Sequence, residues 1–267
     1  MNGSPLLRVA GLVKRFGGLT ALNEVDLGVE RGQIFSVIGP NGSGKTTLFN
    51  VITGVLKPSA GHVDLRGRSL VGLQPHQVTE LRLARTFQNI RLFPQMTVLE
   101  NVMVGAHCRT KAGLLASAVQ PKWAKRERAE TEQKAERLLA TFGSAFEGRH
   151  HDLAGAQSYA SRRKIEMARA LASDPEILLL DEPCAGMNPV ETAEATSYIR
   201  RLRDEGITIL LIEHQMSVVM EISDWIVVLD HGVKISEGKA ESISRDERVI
   251  EAYLGRRLGR APARQRL

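Results

Sequence analysis

Apolar and polar positions follow two different periods along the second half of the chain. Short runs of consecutive leucine, isoleucine and valine residues stand between longer segments with helical spacing. These runs predict strands in "EILLLDEP", "TILLIEH" and "WIVVLDHG", and the segments between and before them predict helices over 158–172, 190–206 and 216–223. Strands that alternate with helices indicate a parallel sheet covered by helices on both faces.

The first half of the chain has a different pattern. Partial alternation in "LLRVAGLVKRF", "NEVDLGVE" and "HVDLRGRSLVGL" predicts short strands separated by glycine breaks. The run "IFSVIG" is apolar and partly β-branched, as expected of a buried strand. From about residue 98 to 139 the chain is rich in Ala, Glu, Lys, Arg and Leu, which predicts a helical insertion that ends near Gly143.

The composition is that of an ordinary globular protein. Of the 267 residues, 43% are hydrophobic and 25% are charged, which suits one large domain or a domain with an insertion. No apolar run reaches the roughly 18 residues that a membrane helix needs, and the N-terminus lacks the apolar core of a signal peptide. We therefore expect a cytosolic protein, or one attached to a membrane through a partner. Cys108 and Cys184 lie far apart and are predicted to be free thiols.

The net charge of +6 is concentrated at the C-terminus. Five arginines and no acidic residue lie within 256–267, so the rest of the chain carries a net charge of only +1. This distribution argues against a nucleic-acid-binding face. The basic tail is either solvated or in contact with anionic lipid at the cytoplasmic membrane surface, and both interpretations remain open.

The segment "GPNGSGKTT" fits the phosphate-binding pattern G-x-x-x-x-G-K-[S/T]. It follows a predicted buried strand and precedes a helix-forming segment, which is the context that the pattern requires. Its glycines let backbone N–H groups face an anion, and the helix N-terminus adds positive potential. Lys45 is expected to reach the β- and γ-phosphates, Thr46 to bind Mg²⁺ and Thr47 to lie on the α-phosphate side. The predicted nucleotide-binding residues of this loop are Gly39, Pro40, Asn41, Gly42, Ser43, Gly44, Lys45, Thr46 and Thr47.

Two carboxylates follow the apolar run of "ILLLDEP". Open α/β sheets bind ligands at the carboxyl ends of their strands. We expect Asp181 to support Mg²⁺, directly or through water, and Glu182 to position the attacking water as general base. An apolar run followed by Asp-Glu is a weak signal alone, and the phosphate loop makes it specific.

With these motifs the chain resembles the ATP-binding subunits of ABC transporters over residues 7–255. The resemblance implies an α/β fold: a P-loop NTPase (RecA-like) parallel-sheet core with an N-terminal antiparallel β subdomain and an inserted α-helical subdomain. It divides the chain into an ATP-binding core with the β subdomain (1–88 and 162–255), a helical subdomain (89–161) and a basic tail (256–267). It also implies an ATPase that uses ATP and Mg²⁺ to drive transport, bound peripherally at the cytoplasmic face of the cell membrane.

The resemblance assigns roles to three further residues. Phe16, in "KRFGG", matches the aromatic residue that stacks on adenine. Gln88, in "ARTFQNIRLF", matches the Q-loop glutamine, which contacts Mg²⁺ or the attacking water and links the site to the transmembrane subunit. His214, in "LLIEHQM", matches the switch histidine that contacts the γ-phosphate. The predicted catalytic residues are therefore Glu182, His214 and Gln88, and the predicted metal ligands are Thr46, Gln88 and Asp181.

Several segments are similar to the subunits of importers for branched-chain, hydrophobic amino acids. They include "RFGGLTALNEVDL", "VIEAYLG" and "DEPCAGMNPVET", where Asn188 replaces the aspartate of most ABC proteins. The similarity implies permease subunits as partners, and a solute-binding protein indirectly. Urea or amide import, lipopolysaccharide export and a weakly hydrolysing regulatory subunit are alternatives. A soluble ABC protein that acts on DNA or ribosomes is not expected, because those usually carry two nucleotide domains or a long coiled coil.

The signature motif of the family, L-S-G-G-Q, has an altered form here. In the family, fourteen residues separate its first leucine from the last leucine of "ARAL", so counting back from Leu171 places the motif at 157–161, "QSYAS". The glycine-containing "LAGAQ" is then the loop that leads in. Ser158 is predicted to contact the partner's ATP, while Ala160 replaces a glycine. Arg162, Arg163 and Lys164 are expected to add positive charge near the helix start.

In this family two ATP-binding subunits pair head to tail, so each signature completes the partner's site. The resemblance implies a second, different ATP-binding subunit, and a homodimer is the alternative. Because "GPNGSGKTT" is intact and "QSYAS" is altered, one hypothesis is that the site built on Lys45 and Glu182 hydrolyses well and the opposite site is slower. The alternative is that Ala160 is tolerated and that both sites work.

Overall fold

The computed structural model describes residues 5–111 and 121–254. The predicted basic tail at 256–267 and part of the predicted helical insertion lie outside these residues. The described strands form one four-stranded and one six-stranded sheet. Their bounds are β1 Leu7–Phe16, β2 Leu19–Val29, β3 Ile34–Ile38, β4 Ala60–Leu65, β5 Arg68–Ser69, β6 Leu83–Arg85, β7 Ile177–Asp181, β8 Thr208–Ile212, β9 Trp225–Asp230 and β10 Val233–Gly238.

The six-stranded sheet has the order β10-β9-β3-β8-β7-β6. Its neighbouring strands are parallel except that β10 pairs with β9 in antiparallel orientation. Every residue of β3, β7 and β8 is buried, which explains why these strands consist mainly of apolar residues. The predicted parallel sheet is confirmed. The strands β6 and β10 were not predicted, because β6 has only three residues and β10 has a largely polar sequence.

Helices cover both faces of this sheet, as predicted. The helix expected over 158–172 begins at Tyr159 and ends at Leu171, and the two later ones also lie where the spacing placed them. The described helices are α1 Lys45–Ile52, α2 Pro75–Glu80, α3 Val98–Gly105, α4 Lys122–Ala140, α5 Tyr159–Leu171, α6 Pro189–Asp204, α7 Met216–Ile222, α8 Ala240–Ile243 and α9 Glu247–Leu254.

The four-stranded antiparallel sheet, β2-β1-β4-β5, packs towards one face of the parallel sheet. Side chains of α1, such as Phe49, share one hydrophobic cluster with Leu7 of β1 and Val37 of β3. This cluster holds α1, and therefore the loop before it, between the two sheets. No helix within residues 5–111 and 121–254 is long and apolar enough to cross a membrane.

A separate hydrophobic cluster joins α3, α4 and α5, with Val102, Leu139 and Ile165 among its buried residues. Helix α5 also packs on the parallel sheet, because Met167 and Leu171 belong to the cluster on that face. The predicted domain boundary after residue 161 thus falls in the first turn of a helix that serves both clusters. The division of the chain into domains stays a prediction.

Candidate nucleotide-binding site

The predicted phosphate loop connects the end of β3 at Ile38 to the start of α1 at Lys45. Gly39, Gly42 and Gly44 all have φ between +79° and +147°. A Cβ at Gly39 would overlap the carbonyl oxygen of Leu229, and one at Gly44 would lie 2.6 Å from the carbonyl oxygen of Ala21. The loop therefore needs glycine at both places, for conformation and for space.

The side chain of Lys45, the first residue of α1, extends back into this loop. Its ammonium group donates hydrogen bonds to the carbonyl oxygens of Gly39 and Pro40 at 2.7 and 2.9 Å. Burial lowers the pKa of Lys45, and the nearby carboxylates of Glu182 and Asp181 oppose that shift. A cation enclosed by a glycine loop at a helix N-terminus is an arrangement suited to binding a polyphosphate.

Asp181 ends β7, as predicted, and its side chain is only 1% exposed. Arg85 donates to its Oδ2 at 2.7 Å, which forms a buried ion pair between β6 and β7. The other oxygen, Oδ1, is buried and has no hydrogen-bond partner. An unpartnered buried carboxylate oxygen is costly, and it suits a ligand to a divalent cation.

Glu182, Gln88 and His214 converge beside Asp181. Gln88 Nε2 donates to Glu182 Oε1 at 3.0 Å, and His214 Nε2 lies 2.7 Å from the same oxygen. Glu182 has a φ of +52°, in the left-handed region, and its N–H donates to the carbonyl of Ile212 in β8. Backbone strain of this kind at a non-glycine residue is common in active sites, where a side chain must be held in one direction. The structure thus brings together the three residues predicted to be catalytic.

Glu213 is a buried carboxylate that the sequence interpretation did not include. Its Oε1 accepts from the N–H of Cys184, and its Oε2 accepts from those of His214 and Gln215. It therefore joins the segment after Glu182 to the segment that carries His214. A charged residue between an apolar run and a histidine, in "LLIEHQ", is the signal that could have revealed it.

Cys184 is free and buried, as is expected of a core thiol, and Cys108 is also free and partly exposed. Burial raises the pKa of the Cys184 thiol to about 12, and the Glu213 carboxylate adds to that shift. The free thiols predicted from the sequence are confirmed.

Phe16 and Ser158 lie on other elements. Phe16 ends β1 and is exposed, with Lys14 Nζ 4.9 Å from its ring centroid. Ser158 is the N-cap of α5, and its hydroxyl accepts from the N–H of Ser161 at 3.2 Å. The helix begins directly after Ser158 and "LAGAQ" precedes it, as the predicted motif register requires. Ala160 lies within the helix, and its φ angle is not in the left-handed region. An alanine therefore adopts this backbone conformation without strain.

One expectation about the start of α5 is wrong. Arg163 was expected to add positive charge at the helix start together with its neighbours. Its side chain is only 4% exposed and is directed inwards, where it pairs with Glu166 and donates to the carbonyl oxygen of Phe87. Helical periodicity places this position on the buried face of α5, and a charged residue type alone does not reveal that.

The geometry defines a class of protein, and comparison with known proteins agrees. The family described as "ABC transporter" matches residues 22–185, well over half of the chain. The chain therefore belongs to the ABC transporter family, as an ATP-binding subunit that hydrolyses ATP. A second family, described as "Branched-chain amino acid ATP-binding cassette transporter", matches residues 233–258.

Similar proteins define the relationship more closely. The high-affinity branched-chain amino acid transport ATP-binding protein BraF of Pseudomonas aeruginosa is 44% identical over 253 residues, 94% of this chain and 98% of that protein. The corresponding protein LivG of Escherichia coli K12 is 44% identical over 252 residues, with the same coverage. A crystal structure of the ADP conformation of an ATP-binding cassette of an ABC transporter is 33% identical, with a TM-score of 0.82, and covers 95% of this chain and 100% of that one. The resemblance to branched-chain amino acid importer subunits is thus confirmed.

Proposed function

We propose that this chain drives the import of branched-chain, hydrophobic amino acids, and that Glu182 is the general base of its ATPase reaction. The observation that carries the catalytic assignment is the Glu182 carboxylate, which lies between Gln88 and His214 beside the phosphate loop. The similarity to BraF and LivG over almost the full chain supports the solute class. Urea or amide import and lipopolysaccharide export are the competing assignments that the solute test has to exclude.

The phosphate loop is the proposed binding site for the nucleotide phosphates. Lys45 would exchange its bonds to Gly39 and Pro40 for phosphate oxygens, while the loop N–H groups bind the same anion. Phe16 is proposed to stack on adenine, since an exposed ring at the end of β1 is available for that contact. Asn41, Gly42, Ser43, Gly44, Thr46 and Thr47 complete the proposed set.

Thr46, Asp181 and Gln88 are the residues proposed to hold Mg²⁺. The fit rests on Asp181, whose buried Oδ1 has no hydrogen-bond partner while Oδ2 pairs with Arg85. When bound, the ion would supply positive charge that offsets the charge of the phosphate oxygens. Glu182 is placed to accept a proton from the attacking water, and His214 to contact the γ-phosphate.

We propose that the chain acts at the cytoplasmic face of the cell membrane, bound to permease subunits and paired with a second ATP-binding subunit. In a head-to-tail pair, Ser158 and the N-terminus of α5 would complete the partner's site. The Cβ of Ala160 leaves less room for the backbone at this position to approach a phosphate of the partner's ATP. We therefore assign faster hydrolysis to the site built on Lys45 and Glu182 of this chain, and slower hydrolysis to the opposite site.

The solute assignment is tested with the co-purified complex in liposomes. ATP turnover is measured with leucine, isoleucine and valine, and with urea and short amides, each delivered with the matching solute-binding protein. Stimulation by the branched-chain amino acids is expected, and loss of turnover in Glu182→Gln shows that this chain supplies it. Stimulation by urea or an amide alone would overturn the solute assignment.

A weakly hydrolysing regulatory subunit is the second candidate, and the altered signature at Ala160 and Ser161 is the observation that favours it. The Glu182→Gln complex discriminates between the two. Under the leading proposal its turnover falls by about a hundredfold or more. Turnover equal to that of the unsubstituted complex would favour the regulatory role.

A further inference from the structure

Helix α5 contains a buried ion pair that the proposed ATPase reaction does not use. The side chains of Arg163 and Glu166 are 4% and 1% exposed, and Arg163 Nη1 lies 3.2 Å from Glu166 Oε2. Removing both charges from water costs free energy, which further hydrogen bonds from the two side chains offset. The partners in those hydrogen bonds therefore indicate what the pair does.

The partners are backbone groups of the segment 87–91, which carries Gln88. Arg163 Nη1 donates to the carbonyl oxygen of Phe87 at 2.7 Å, and Nη2 donates to that of Gln88. Glu166 Oε1 accepts from the N–H of Phe87 at 3.2 Å and lies 3.5 Å from that of Arg91. Arg169, one turn further along α5, donates to the carbonyl oxygen of Arg91.

Among the residues that the structure describes, the hydrogen bonds to the parallel sheet end at Thr86, just before this segment. Strand β6 pairs with β7 as far as Arg85, and the N–H of Thr86 makes one further bond to the carbonyl of Leu179. Beyond Thr86, side chains of α5 bind the backbone on both sides of Gln88. The position of the Gln88 amide, 3.0 Å from Glu182 Oε1, therefore depends on the position of α5.

Arg163 also contacts the first residue of its own helix. Its Nη2 lies 3.0 Å from the hydroxyl of Tyr159, and its guanidinium lies 5.5 Å from the centroid of that ring. The Tyr159 ring faces Gly186, where an added Cβ would lie 3.3 Å from it. One guanidinium thus contacts the backbone at Gln88 and the residue next to Ser158.

We propose that Arg163, supported by Glu166, is a positioning residue that moves Gln88 together with the N-terminus of α5. A displacement of α5 that brings Ser158 to the partner's ATP would then shift Gln88 relative to Glu182 in this chain's own site. The two ATP sites of the pair are coupled through this ion pair. The inference rests on the proposed roles of Gln88 and Ser158.

Three variants test the inference in the assembled complex. Arg163→Met removes the guanidinium group. Arg163→Lys keeps the positive charge, but an ammonium group cannot bind two carbonyl oxygens and a carboxylate at once in the same way. Glu166→Gln keeps the shape of the side chain and removes its charge. Arg126→Met is the matched control, because it removes an exposed ion pair of α4 with Glu130. The measurements are kcat and KM for ATP with and without solute stimulation, and hydrogen exchange of the 86–92 amides.

We expect Arg163→Met to lower solute-stimulated kcat by about tenfold, with KM for ATP changed less than about twofold, because the phosphate loop is untouched. Arg163→Lys should give an intermediate loss of solute-stimulated kcat. In Glu166→Gln, the backbone amides of residues 87–91 should exchange hydrogen faster than in the unsubstituted chain. Arg126→Met should match the unsubstituted complex in every measurement.

Full stimulated turnover in Arg163→Lys would overturn the inference, because the charge alone would then suffice. An equal proportional loss of basal and stimulated turnover in Arg163→Met would also overturn it, since a merely structural role predicts that result. Failure of the proposed function is distinguishable: it appears as unchanged turnover in Glu182→Gln, which carries an intact Arg163.

Discussion

The phosphate loop and the first turn of α5 both present the positive end of a helix, but they are built differently. The loop depends on glycines whose added Cβ atoms would meet backbone oxygens of Leu229 and Ala21. The start of α5 uses ordinary backbone conformations, with Ser158 as N-cap at a φ of −59° and no glycine. The loop therefore tolerates no substitution at its two tightest glycines, whereas the helix start can accept Ala160 and still form. An altered motif at α5 and an intact motif at the loop are thus physically consistent in one chain.

The largest expected effect tests whether the two regions serve unequal sites. Glu182→Gln in this chain should lower single-turnover hydrolysis in the complex by about 10²–10⁴-fold, because the general base is lost. Substitution of the corresponding glutamate in the partner should cost less, since that site receives the altered signature. Equal losses from the two substitutions would contradict the asymmetry. Rapid-quench measurement of phosphate release gives both values.

A second experiment compares a glycine in each region. Gly39→Ala should lower the free energy of unfolding by about 3 kcal/mol or more and abolish nucleotide binding, because the new Cβ overlaps the Leu229 carbonyl and φ is +147°. Gly155→Ala, in the short 3-10 helix before α5, should cost less, about 1–2 kcal/mol, because its φ is not in the left-handed region and the added Cβ would make a tight contact of 3.0 Å with Pro94 rather than an overlap. Denaturant unfolding and nucleotide titration measure the difference. Comparable losses would show that the loop is less constrained than its geometry indicates.

Ala160→Gly restores the family residue at the start of α5. Turnover at the partner's site should rise by about two- to fivefold, while the free energy of unfolding falls by about 1 kcal/mol, because glycine weakens a helix. Ser158→Ala is the paired variant, and loss of the N-cap should cost about 1 kcal/mol as well, but with lower turnover at that site. Unchanged turnover in Ala160→Gly would support the alternative that both sites already work equally well.

The smallest effect concerns the two free thiols, one in the segment after Glu182 and one after α3. Cys184 is buried beside Glu213 with a pKa raised to about 12, so its thiolate fraction at pH 8 is about one in ten thousand. Cys108, beside α3, is partly exposed. An alkylating reagent at pH 8 should label Cys108 and leave Cys184 unmodified until denaturant is added. Labelling of Cys184 in the native protein, detected by peptide mass analysis, would show that the segment after Glu182 opens.

Much of the site could be predicted because its residues follow regular elements. Lys45 is recognisable from the glycine pattern after β3, and Asp181 and Glu182 from the end of an apolar run. Glu213 escaped prediction, since a single glutamate after a strand has no spacing partner in the sequence. The burial of Arg163, which was expected to add positive charge near the helix start, was not predicted, because it depends on the packing of α5 against residues that lie far away in the chain.

The alternation of strands and helices, the phosphate loop and the start of α5 could all be predicted from the order of the residues. Each of these depends on local periodicity, on glycine conformation or on capping, which act over a few residues. Which distant groups meet depends on how the folded chain packs: the Glu182 carboxylate with Gln88 and His214, the Asp181 carboxylate with Arg85, and the Arg163–Glu166 pair with the backbone at Gln88. These contacts join residues 32 to 96 positions apart, and the order of strands in the sheet brings them together.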